Sequence, residues 1–166
     1  MSTCTLSSTT RRRLAMQGFI GLDDAALAEI GPWLRLTPAI CSALTVVATL
    51  LAMPIVLWTL MPFGVICAIR GAQPFDLPYN LGLRQLLGTR RLPRYAAPRR
   101  FACLLATLWL GITGSAFFAG VPLLGYALGV ALVLGLGIAA TTDFCAGCFI
   151  HRRLIGAPVA REKTPH

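Results

Sequence analysis

The apolar positions of this chain fall into two uninterrupted runs. No charged residue occurs from 36 to 69, between Arg35 and Arg70, or from 101 to 142, between Arg100 and Asp143. At a helical rise of about 1.5 Å per residue, the runs would extend about 51 Å and about 63 Å as single helices, against a hydrocarbon core of about 30 Å. Neither fits a bilayer as one span at ordinary tilt. Each carries a break near its middle, Met53-Pro54 in the first and Gly120-Val121-Pro122 in the second. The pattern therefore predicts two helical hairpins, with spans at about 36–52, 55–70, 101–118 and 123–142. The halves of the first run are short for spans, so one span plus an interfacial segment is the alternative reading of 36–69.

Charge distinguishes these readings better than length does. With two hairpins, all 15 Lys and Arg residues lie on one side of the membrane, and only two uncharged turns lie on the other. The positive-inside rule makes the charged side cytoplasmic, so both termini are expected there. The expected fold is all-α and integral to the membrane: four transmembrane helices as two short hairpins, with one or two interfacial amphipathic helices. The domain organisation follows: 1–34 as a cytoplasmic tail and amphipathic helix, 35–153 as the four-span domain, and 154–166 as a cytoplasmic tail.

The polar segments hold the interfacial elements. Residues 1–13, rich in Ser and Thr and ending in Arg11-Arg12-Arg13, are expected to be a disordered tail. Asp23 is placed to cap a short helix over Asp24–Trp33, with Leu27, Ile30 and Trp33 on one face and Trp33 at headgroup level. A second surface helix is expected over Pro78–Leu87. Gly88 ends it, and a basic, proline-broken link follows into the third span.

The net charge of +9 raises nucleic acid as a partner. The basic residues instead flank the apolar runs, at Arg70, Arg90-Arg91, Arg99-Arg100 and Arg152-Arg153. There they are expected to fix topology and to meet anionic lipid headgroups rather than nucleic acid. The Arg triplet does not open a twin-arginine export signal, because Asp23-Asp24 interrupts the apolar run that follows it. Small residues, including Gly125-x-x-x-Gly129, allow close helix approach within the bundle, or at an interface with a second copy or a partner protein.

Chemistry is concentrated at Cys145-Ala146-Gly147-Cys148. At i and i+3 two thiols share a helix face, near enough to close a disulfide or to supply half a tetrahedral metal site. Placed at the C-terminal end of the last span, the pair would meet the negative end of the helix dipole and Asp143, which disfavour thiolate. His151, Arg152 and Arg153 would offset that. Covalent haem attachment is not expected, because Phe149 follows Cys148 where that motif has His. In the two-hairpin topology Cys41, Cys67 and Cys103 come to about the depth of the pair. Cys67 or Cys103 would then serve as a resolving thiol or extra ligand, with plain packing as the alternative; His151, three residues after Cys148, is a further candidate ligand, with an interfacial side chain as its alternative. No metal site is complete from sequence.

The basic Pro98–Ala102 link (Pro-Arg-Arg-Phe-Ala) and the Asp143–Cys148 close (Asp-Phe-Cys-Ala-Gly-Cys) between and after two apolar hairpins resemble the bacterial membrane-protein family known as domain of unknown function 4395. The resemblance covers roughly 35–153 and implies a small multi-span protein of the bacterial inner membrane, without an activity. The chain departs from the pattern in its N-terminal extension through Trp33 and in the basic His151-Arg152-Arg153 after the motif.

Two functions are compatible with these features. One is a non-catalytic accessory subunit of a larger bacterial membrane complex, supported by small-residue faces and by spans without buried carboxylate or His, which also disfavours an ion-coupled transporter. The other is a membrane thiol-redox or sulfur-relay protein built on Cys145 and Cys148. The residues demand no cofactor; quinone as an electron partner and a Cys-bound metal are the two the pattern allows.

Overall fold

A computed structural model of the chain describes residues 7–72 and 94–156, together with positions 82 and 85. Six helices account for nearly all of these residues, and no strand occurs among them: α1 Ser8–Met16, α2 Asp24–Leu50, α3 Pro54–Arg70, α4 Ala97–Phe118, α5 Pro122–Thr142 and α6 Ala146–Ile155. Helices α2, α4 and α5 are long and apolar enough to cross a membrane; α3 is apolar but shorter, at 17 residues. The surface helix expected over 78–87, Arg90, Arg91 and the tail from 157 lie outside the described residues.

Both predicted breaks are present. At the first, Ala52 takes a left-handed φ of 48° and Pro54 opens α3, where its missing N–H costs nothing. At the second, Gly120 supplies the positive φ, 73°, and Pro122 opens α5. The helices run up and down, with α3 packed chiefly on α4 and α2 on α5. Close approach depends on small residues: a Cβ at Gly114 would lie 2.5 Å from Trp58, and one at Gly129 would lie 2.5 Å from Thr49. Leu57, Leu60, Leu110 and Leu132 fill the core between them.

The other end of the bundle departs from the sequence reading. Ser8–Met16 is helical rather than a tail, and its Leu14 is fully buried. The surface helix expected over Asp24–Trp33 is the first part of a continuous α2, and Asp23 occupies its cap position without a side-chain capping bond. Leu27, Ile30 and Leu34 face the protein, forming a second core with Leu14, Phe19, Cys67 and Tyr95; Trp33 packs against it. These apolar side chains are covered by the chain's own N-terminal segment rather than by lipid.

Prolines 32 and 38 lie inside α2 without ending it. A proline has no N–H for the carbonyl four residues earlier, so Pro38 leaves the Leu34 carbonyl without its helical donor. Arg99 Nη2 donates to that carbonyl at 2.9 Å. A side chain from α4 thus repairs α2, the kind of compensation that lets proline persist in membrane helices.

Candidate active site

Helix α5 does not carry the cysteine motif at its end. Helix α5 stops at Thr142, and Asp143 adopts a left-handed conformation (φ 57°) that turns the chain. Asp tolerates this conformation better than most L-residues. Cys145 then becomes the N-cap of a separate helix, α6, and its Sγ accepts the backbone N–H of Cys148 at 3.4 Å. The expectation of a C-terminal position is therefore corrected: the thiols meet the positive end of a helix dipole, which favours thiolate.

Asp143 is also withdrawn from them. Its carboxylate is gripped by Arg35, with Nε donating at 2.7 Å and Nη2 donating to the second oxygen. The turn is further held from the N-terminal segment, where Arg13 Nη1 donates to the Thr142 carbonyl and Gln17 Nε2 to the Asp143 carbonyl, each at 2.7 Å. Gly147 fixes the other side, since a Cβ there would lie 2.7 Å from the Cβ of Ala102 on α4.

The two thiols are made unequal. Cys145 is lowered from the ordinary thiol range to about 7, first because the Cys148 thiol donates to it, with help from the N–H groups of Cys148 and Gly147 and the charge of Arg99, against the opposing effect of burial. Cys148 is fully buried and pushed strongly upward, through that same thiol–thiol hydrogen bond and through desolvation. Such a pair has one thiol poised as a nucleophile and one held in reserve.

Arg99 links the pair to the bundle. Expected as a lipid anchor, it is instead 8% exposed. Its guanidinium donates to Gln17 Oε1 at 2.9 Å and to the Leu34 carbonyl, and lies 4.3 Å from the Tyr95 ring centre. The two ion pairs among the described residues, Arg11–Asp24 and Arg35–Asp143, leave its charge without a carboxylate. With Gln17, Thr37, Cys41, Cys103 and Cys145 it lines a cavity of about 130 Å³ whose remaining walls are largely apolar.

Arg100 is exposed, and its Nε and Nη2 donate to the Ala68 and Ile69 carbonyls and close the C-terminal end of α3. Arg70 and Arg153 are exposed and Arg152 is half-buried; Arg153 lies 5.8 Å from the Phe149 ring centre. His151 is buried against the Phe101 ring, one turn beyond Cys148, and its Nδ1 has no hydrogen-bond partner among the described residues. Cys67 and Cys103 are joined as a disulfide between α3 and α4, with Cα atoms 6.2 Å apart. The sequence reading expected the two near one another but did not foresee their bond. Among the described residues no group of three or more His, Cys, Asp or Glu is placed to hold a metal ion.

The profile of the family described as Domain of unknown function (DUF4395) matches residues 32–155, which includes α3 to α6, most of α2 and both cysteine pairs. No curated protein and no solved structure matches the chain.

Proposed function

We propose, for a chain that belongs to the DUF4395 family, the activity of a membrane-embedded thiol–disulfide redox protein. Cys145 is its nucleophile and Cys148 its resolving thiol. The observation that carries this reading is the placement of Cys145 at the N-cap of α6, with the Cys148 N–H on its sulfur. Cys145 thiolate attacks one sulfur of a substrate disulfide and expels the other as thiolate. Cys148 loses its proton and attacks Cys145 Sγ, the second substrate sulfur leaves as thiolate, and Cys145–Cys148 remains as the disulfide. Two electrons pass to the substrate, and its two thiolates take up the protons.

The proposed setting is the bacterial inner membrane, with α3 as a short fourth span and the charged end, the thiols and both termini on the cytoplasmic side. Every described Arg, Asp and Glu belongs to that end of the bundle, whereas the turns at 51–53 and 119–121 carry none. Differential alkylation of native membranes before and after reductant, read by mass spectrometry at each cysteine, tests the activity. A reversible disulfide fraction at Cys145 and Cys148 supports it; two thiols inert to both oxidant and reductant would remove it.

A non-catalytic accessory subunit is the second reading. It is favoured by α5, where Gly135 and Gly137 meet nothing within 4 Å and Leu134 and Ile138 are exposed, a face suited to a neighbouring membrane helix. Copurification in fixed stoichiometry with a larger assembly would support this reading.

A further inference from the structure

The two cysteine pairs open onto one space. Cys103 and Cys145 both line the cavity of about 130 Å³, whereas Cys67, the partner of Cys103, is fully buried behind it. No helix separates the pairs: Gly147, between Cys145 and Cys148, packs directly on Ala102, the chain neighbour of Cys103. Arg99 also lines the cavity, one helical turn before Cys103 on the same face of α4, and its charge acts on Cys145. A guanidinium therefore borders the same cavity as Cys103 and the thiolate of Cys145. Disulfides near a cytoplasmic face are more often transient and catalytic than structural. A disulfide with one sulfur fully buried is within reach of few reductants other than a thiol already in the protein.

We propose that the chain is an internal disulfide relay in which Cys145 and Cys148 reduce the Cys67–Cys103 bond, a reading that rests on Cys145 being a redox nucleophile. Cys145 thiolate attacks Cys103 Sγ; the Cys67–Cys103 bond breaks and Cys67 leaves as thiolate and takes a proton. Cys148 then loses its proton and attacks Cys145 Sγ, breaking the Cys103–Cys145 bond, and Cys103 leaves as thiolate and is protonated. Two electrons have moved from one pair to the other; one proton comes from Cys148 and one from water, matching the one Cys145 released on ionising, and no outside oxidant or reductant enters the exchange. Cys103 is the sulfur attacked because it, and not Cys67, lines the cavity.

The test uses the full chain in native membranes. In a Cys67→Ala, Cys148→Ala variant neither resolving thiol remains, so mild diamide oxidation should trap Cys103 to Cys145 as the main disulfide-linked peptide under non-reducing digestion. Cys145 linked only to Cys41 or to small thiols, with Cys103 fully alkylated, overturns the relay. In the chain with all other cysteines intact, Cys145→Ser should lower the reduced fraction of Cys67 and Cys103 at least tenfold under thiol reductant. An equal reduced fraction with and without Cys145 also overturns it. If Cys145 and Cys148 still cycle in the native chain while either overturning result is found, the relay alone fails. If Cys145 and Cys148 are inert, both readings fail together.

Discussion

Arg35 holds the carboxylate of Asp143 across 108 residues of sequence, with one guanidinium nitrogen on each oxygen. Asp143 is almost entirely buried while the Arg35 side chain is about half exposed. The pair therefore joins the start of the bundle to the turn that presents Cys145. Replacing Asp143 by Asn or Arg35 by Gln is expected to lower the apparent Tm in detergent by roughly 3–6 °C. A double-mutant cycle should return a coupling of about 1–2 kcal/mol. Additive effects would show that the turn is held by the Arg13 and Gln17 bonds alone.

The charge of Arg99 predicts a pH profile. With Cys145 lowered to about 7, its alkylation rate should rise as pH increases through 7 and level off above, while Cys148 stays slow across that range. Arg99→Gln removes one of the influences that favour thiolate and should move the midpoint to higher pH. Cys148→Ala removes the largest of them and should move it further in the same direction. Arg99→Lys would not restore the native midpoint, because one ammonium cannot replace a fork shared by Gln17 and the Leu34 carbonyl. The same midpoint in all four chains would contradict this account of the site.

Gly147 offers a steric test. A methyl group there would meet both Cα and Cβ of Ala102, at 2.8 and 2.7 Å, so Gly147→Ala must displace α6 from α4. Overpacking of this kind costs about 1–3 kcal/mol, and Cys145 alkylation should lose its midpoint near 7. Gly137→Ala, with nothing within 4 Å in its way, should change neither stability nor alkylation, unless that face is covered by a partner.

Topology can be read independently. Compartment reporters fused at either terminus should both respond as cytoplasmic, and a cysteine-reactive probe that cannot cross the membrane should label a Val121→Cys variant only from outside. Termini on opposite sides would remove α3 as a span.

Much of this arrangement was legible in the residues. Met53-Pro54 and Gly120-Val121-Pro122 combine a φ requirement with a missing donor, and a helix break at such positions depends little on tertiary context. The expectation of two hairpins put Cys67, Cys103 and Cys145 near one another, and the Cys67–Cys103 bond and the cavity lined by Cys103 and Cys145 bring them together. What local pattern did not carry was whatever long-range partners decide. Nothing near Pro38 in sequence shows that Arg99, 61 positions later, supplies the donor its proline ring denies the Leu34 carbonyl. Arg99 reads as a headgroup anchor until Gln17 and Tyr95 are seen around it. The end of α5 at 142 matches the expected span; what was hidden was the new helix capped by Cys145, because Asp143 rather than glycine makes the left-handed turn before it. That turn converts an unfavourable dipole at the thiols into a favourable one.

The bonds from Arg13 and Gln17 to the turn before Cys145 come from residues upstream of position 32, where the family's matched segment begins. Motif and tuning are therefore carried by different parts of the chain. The cysteines lie within the matched segment, whereas part of what sets their geometry lies before it, and Gln17 also fixes the arginine that bears on the thiolate. Change confined to the first 31 residues can retune the reactivity of Cys145 while every residue of the matched segment stays the same.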